Sequence, residues 1–196
     1  GGWGKETFSD QFTEPAYVIR GTDFPAIKNG DANSIPFRYH KKSNLESRSL
    51  MEDDIIFEVS GGSKAYPVGR ALLITKEVLG NFRGQEVMCA SFCKLIRINK
   101  SKVSPLFMVS FLNEIYETRE IAQFENQSAS NIVNFRFKDF QEKQYVVVPD
   151  KDIRMMFDKQ LEPILVLRNT LGSQNQKLKE ARDILLPRIM NQTITV

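Results

Sequence analysis

The chain has 196 residues, 41% of them apolar and 26% charged, which suits one sizeable hydrophobic core plus an appendage and excludes a disordered or fibrous polymer. A net charge of +3 excludes a general polycation and leaves room only for a local basic patch, while two cysteines and one histidine are too few for a disulfide framework or a metal site. There is no run of about 18 apolar residues, so no membrane span is expected.

The opening Gly1-Gly2-Trp3 is neither a basic n-region nor a signal peptide, and a start without Met suggests a missing or trimmed N-terminus; the expected location is the cytoplasm. Ala16 to Arg20 is strand-like and closed by Gly21. The next thirty residues read as polar loop, with Gly30, Asp31, Asn33 and Ser34 as turn formers, and they carry the basic cluster Arg38, His40, Lys41, Lys42 and Arg48. On charge alone the cluster reads as a solvated loop; Phe37 and Tyr39 alternating with Arg38 and His40 shift that reading slightly toward a surface touching phosphates and bases.

Met51 to Ser60 reads as turn then strand, with Ile55, Phe57 and Val59 on one face and Ile56 and Glu58 on the other. The glycine pair in Ser60-Gly61-Gly62-Ser63-Lys64 lets backbone approach a ligand, and Ser63 and Lys64 could then donate to phosphate oxygens, although the spacing is not that of a P-loop. Val68 to Thr75 and Val87 to Ile98 are expected to be strands. The second reads as a long, two-sided central strand of a mixed sheet, in which Cys89 and Cys93 lie about 13 Å apart, beyond disulfide reach, as reduced buried thiols.

Ser104-Pro105 is a helix start, N-cap then N1, for an apolar stripe of Phe107, Met108, Phe111, Leu112 and Ile115 packed on the sheet. A polar segment from Gln127 to Asn131 leads to Phe135 and Phe137, and Tyr145 to Val148 reads as a final strand. The expected architecture is α+β: a mixed β-sheet domain with packed helices over residues 1–149, followed by a long coiled-coil-forming helix over residues 150–196.

In that helix, with Asp150 as N-cap, apolar residues recur at Phe157, Leu161, Ile164, Leu171, Leu178, Leu185 and Ile189, steps of three, four or seven that keep one face apolar. Arg168, Asn175 and Arg182 are polar entries in the seam, which suits a pairing of defined register. A rod on the order of 50 Å should project from the domain. Pro163 predicts a kink or a break into two helices, Gly172 weakens the middle, and Pro187 limits the end. An ordinary terminal helix packed on its own domain is the plain reading; length and the narrow stripe favour a partner helix.

Catalytic equipment is missing from the sequence. There is no Asn-Pro-Pro-Tyr methyltransferase motif and no glycine-rich nucleotide loop, and Asp150 with Glu142 matches a nuclease carboxylate cluster only loosely. One histidine without a nucleophile motif speaks against Ser-His or Cys-His chemistry. No metal ligand set is expected, and binding is the preferred reading.

Several phrases resemble the specificity subunits of type I restriction-modification systems: Gly1-Gly2-Trp3-Gly4-Lys5-Glu6, Ile19-Arg20-Gly21-Thr22-Asp23, Glu58-Val59-Ser60-Gly61-Gly62-Ser63-Lys64, Cys89 to Arg97, and the closing Leu178 to Met190 with Ala181-Arg182-Asp183-Ile184-Leu185-Leu186-Pro187. The similarity covers nearly the whole chain. Family members carry two target-recognition domains, each followed by a long helix, and the helices pair antiparallel as a spacer. This chain has one of each, and the stretch Ser128 to Asn134 lacks the glycine of the corresponding family loop.

The resemblance implies a non-catalytic, sequence-specific binder of double-stranded DNA that reads one half of a bipartite target. It also implies docking to methyltransferase subunits and, through them, to a restriction subunit. S-adenosylmethionine, ATP and Mg belong on those partners, with no cofactor on this chain. A half-subunit that homodimerises, a fragment needing a second recognition domain and a stand-alone protein all remain open. Expected DNA-binding residues are Arg38, His40, Lys41, Lys42, Arg48, Ser63 and Lys64; the expected helix-pairing interface is Phe157, Leu161, Ile164, Leu171, Leu178 and Leu185. The competing reading is a non-catalytic coiled-coil scaffold whose globular domain binds protein. A nuclease using Asp150 and Glu142 would instead cut DNA alone with Mg.

Overall fold

A computed structural model describes residues 2–61, 67–127 and 133–191. In chain order the elements are β1 (Glu14–Ile19), α1 (Phe24–Lys28), β2 (Phe37–His40), α2 (Lys42–Arg48), β3 (Ile55–Glu58), β4 (Ser60–Gly61), β5 (Ala71–Leu73), α3 (Lys76–Gly80), β6 (Val87–Cys89), β7 (Cys93–Ile96), α4 (Pro105–Glu117), β8 (Glu125–Gln127), β9 (Val133–Phe135), α5 (Phe137–Lys143) and α6 (Lys151–Met190). The class is α+β with a long C-terminal helix.

Among the described residues the strands form three small sheets. β1 lies between antiparallel β2 and parallel β6, with Ala16 opposite Arg38 and Val18 opposite Met88. β3 lies between β5 and β7, both antiparallel, with Ile55 opposite Leu73 on one side and Ile96 on the other. β9 lies between β4 and β8.

All four residues of β3 are buried, because its alternating side chains feed two cores. Ile56 joins Ile19, Phe24, Ile27 and Phe82 on one side. Ile55 and Phe57 join Leu112, Ile121, Phe124 and Phe135 on the other. The helix start at Ser104-Pro105 forms as expected: the Phe107 N–H donates to Ser104 Oγ at 3.0 Å, and Pro105 occupies the first turn, where an N–H would go unused.

Several expectations are corrected. The run from Val87 to Ile98 is two strands in two sheets, not one, because a turn at Ala90 to Phe92 intervenes, with the Cys93 N–H donating to the Ala90 carbonyl at 3.0 Å. Both cysteines are buried free thiols, as expected, but the turn between them removes the basis of the 13 Å spacing. Tyr145 to Val148 is not a strand: β-forming residues need an edge to pair with, and here Tyr145 is 83% and Val147 87% exposed. The region from residue 22 to 50, expected as loop, holds α1, β2 and α2; α1 forms because Phe24 and Ile27 bury themselves in the first core.

α6 is one continuous helix of 40 residues, about 60 Å at 1.5 Å per residue, and Pro163 does not break it. Pro163 sits on the exposed side, where water can satisfy the carbonyl that loses its N–H partner. The helix does not project along its whole length. Phe157 packs edge-on against Phe107 with ring centroids 5.7 Å apart, Ser104 Oγ donates to Asp158 Oδ1 at 2.7 Å, and Asn169 Nδ2 donates to Thr75 Oγ1 at 3.2 Å.

Gly172 is the point of closest approach. A Cβ there would lie 2.6 Å from the Asn29 carbonyl carbon and oxygen, and one on Gly30, which has φ +74°, would lie 2.5 Å from the Ser173 nitrogen. Gly172 is therefore what lets the helix dock rather than a weak spot. From Lys177 onward every described residue of α6 is exposed, although Asn33 Nδ2 still donates to Glu180 Oε1 at 3.1 Å.

Candidate functional site

Trp3, the turn from Arg20 to Thr22, the strand end from Glu58 to Gly61 and the turn from Ala90 to Phe92 converge on one open cleft of about 750 Å³. At the end of β1, a tight turn holds Arg20 against Asp23. The guanidinium donates to both carboxylate oxygens, at 2.9 Å and 2.7 Å, and the Arg20 backbone N–H adds a third bond at 2.8 Å. Gly21 lies against Glu58, where any Cβ would collide with the carboxylate. Glu58, at the end of β3, accepts two hydrogen bonds from Arg70, at 2.8 Å and 2.6 Å.

Asp23 is 3% and Glu58 2% exposed, so both carboxylates are withdrawn from water and each is matched by a guanidinium. Those bonds hold the pKa values of Arg20 and Arg70 above the ordinary arginine value, and both stay charged. The third wall is the turn Ala90 to Phe92, tied down by the Val59 N–H donating to the Phe92 carbonyl at 2.9 Å while the Phe92 ring stays 64% exposed. Trp3 also lines the cleft, with the Arg38 guanidinium 4.3 Å and the Arg20 guanidinium 5.5 Å from its ring.

The expected DNA-binding residues are distributed unevenly around this cleft. Arg38 reaches its rim over Trp3 and pairs with Glu6 at 3.0 Å. Arg48, at the end of α2, donates to the Ala90 carbonyl at 3.1 Å and so braces the turn that carries Phe92. Lys41 lies over the Phe12 ring together with Lys5, and Lys42 opens α2 on an exposed turn.

His40 does not line the surface as expected: its side chain is 0% exposed beneath Gly4, and it presents nothing to a duplex. Burial pushes its pKa below the ordinary histidine value. Ser63, Lys64 and residues 128–132 lie outside the described residues.

Trp3, Arg20, Glu58, Arg70 and Phe92 were missed as site residues. An Arg-x-x-Asp spacing at a strand end signals the first ion pair, but nothing in sequence links Glu58 to Arg70 twelve positions away. Desolvation raises the pKa of both the Cys89 and Cys93 thiols, which marks them as inert packing. Among the described residues there is no group of three or more His, Cys, Asp and Glu side chains placed to share a metal ion, and no helix is long and apolar enough to cross a membrane.

The second feature is the bare side of α6. Of the expected pairing residues, Phe157 and Leu161 turn toward the domain, against Phe107 and into a small cavity shared with Leu106 and Val109. Ile164 borders the same cavity but keeps 61% exposure, and Leu171 (49%), Leu178 (67%) and Leu185 (46%) remain uncovered, joined by Leu167 (58%). At about 100° per residue these five lie within roughly 60° of one another, centred roughly 170° from buried Asn169 and roughly 110° from buried Gly172. Arg168, Asn175 and Arg182 run along one edge of this stripe. No known protein family matches the chain, and no curated protein matches it either.

Proposed function

We propose that the chain is a sequence-reading, non-catalytic subunit or half-subunit of a type I restriction-modification system. Its globular part binds one half of a bipartite site in double-stranded DNA, and its arm pairs with a second arm and docks methyltransferase subunits. The observation that carries this reading is one juxtaposition. The stretches resembling a recognition domain meet around a single aromatic- and guanidinium-lined cleft, while the helix carrying the fifth stretch keeps an apolar stripe uncovered. Lys41, Lys42, Arg48 and Lys64 would contribute affinity through phosphates, and side chains at the cleft would contribute the base contacts. S-adenosylmethionine, ATP and Mg would act on the partner subunits.

The test is selection from a pool of randomised duplexes, using the chain together with the methyltransferase subunit of its own system. A recovered motif, split or half, is the expected result; binding without any sequence preference would overturn the proposal. The uncovered stripe by itself also fits a coiled-coil scaffold, and that reading predicts arm-dependent assembly with no retention of DNA.

A further inference from the structure

The chemistry of the cleft narrows what can occupy it. Among the described residues that line it the cations are Arg20 and Arg70, and each is matched by a buried carboxylate, Asp23 and Glu58. A phosphate entering there would meet guanidiniums whose charge is already offset by the buried carboxylates behind them, and would gain little net attraction. A cavity of about 750 Å³ lies within the range of roughly 300–1,000 Å³ typical of small-ligand sites, and it is too confined for a whole duplex.

Phe92 supplies the second constraint. A phenyl ring on a turn has no core to enter here and is left 64% exposed at the cavity, which partly exposed Trp3 also lines. Ser60 and Ser91 also line the space. Ser60 Oγ donates to Asn134 Oδ1 at 2.8 Å, which leaves its lone pairs to accept from a ligand. Aromatic walls, compensated charge and a few hydroxyls suit a neutral planar ring with donors and acceptors along its edge.

From these features we propose that the cleft binds a single unstacked nucleobase, held against Phe92 and Trp3 with its edge toward Ser60 and Ser91. The inference rests on the nucleic-acid reading above and deepens it, since it requires one base to leave the helical stack. A paired base pays an unstacking cost that an unpaired one does not, so single-stranded or bulged DNA engages the cleft more readily than a continuous duplex.

Trp3 is the chain's one tryptophan, so its emission reports on the cleft without a label. The full chain is titrated with single-stranded adenine and thymine decamers, and with an abasic decamer that carries the same phosphates but no bases. Saturable quenching of Trp3 by at least one base-bearing decamer is expected, with no such response to the abasic one. Phe92→Ala weakens that binding about tenfold, and Phe92→Tyr restores it. Equal quenching by the abasic decamer, or Phe92→Ala binding like the parent, would overturn the base pocket. If the duplex selection yields a motif while Trp3 ignores every decamer, only the pocket falls. If Trp3 responds and no duplex motif emerges, the pocket stands and the restriction reading falls.

Discussion

Replacing Gly172 by Ala sets two effects of opposite sign against each other. In an exposed helix interior Ala is better than Gly by about 1 kcal/mol, so propensity alone predicts a stabler protein. At this position the new methyl would sit 2.6 Å from the Asn29 carbonyl carbon and oxygen and 3.0 Å from the Gly30 nitrogen. These are backbone atoms that cannot rotate away, which places the overpacking cost near the upper end of its usual range, about 3 kcal/mol. The net expectation is a loss of about 2 kcal/mol, or roughly 4–8 °C in Tm for a chain of this size. Urea denaturation followed by far-UV circular dichroism measures it. Gly80→Ala is the control, because a methyl there meets nothing within 4 Å, and no loss is expected. A Gly172→Ala protein as stable as the parent, or stabler, would refute the docking of α6 against residues 29 and 30.

Three further perturbations test other parts of the argument. Leu171→Glu with Leu178→Glu should abolish pairing of arms in sedimentation equilibrium. It should leave domain stability within about 0.5 kcal/mol, since both side chains are exposed; pairing that survives the double change removes the stripe as the interface. Glu58→Gln should destabilise by about 2–4 kcal/mol, below the full cost of breaking a buried pair because the Arg70 side chain keeps 27% exposure, and urea titration showing almost no change would mean that Arg70 holds no buried partner there. His40, the chain's one histidine, has a pKa lowered by burial, so the folded state binds its proton less readily than the unfolded chain does. Its stabilising contribution is complete above the unfolded value of about 6.5 and is lost as pH falls from there through the folded value, with a slope of at most about 1.4 kcal/mol per pH unit. Comparing urea midpoints between about pH 7.5 and about 5.5, His40→Gln should flatten this slope, and parallel curves for the two proteins would sink the assignment.

Local patterns determined a good part of this protein. The Ser104-Pro105 helix start, the two-faced strand at Ile55 to Glu58 and the long helix after Asp150 are legible because capping, alternation and helical periodicity act over a few residues. The uncovered residues Ile164, Leu171, Leu178 and Leu185 were legible for the same reason, as a spacing that no folding partner needs to explain. What covers each face of that helix was decided elsewhere. Asn169 and Gly172, a polar residue and a helix breaker, became the buried contact because Thr75 and the Gly30 backbone stand opposite them. The cleft was decided in the same way: Trp3, Arg20, Glu58, Arg70 and Phe92 lie far apart along the chain, and β1, β3 and the turn after β6 bring them together. His40 reads as one more basic residue in a charged run, and the packing of β2 against β1 beneath Gly4 takes it out of water. Short-range geometry depends on neighbours in sequence, whereas burial and charge pairing depend on which surfaces meet, and only the assembled sheets settle that.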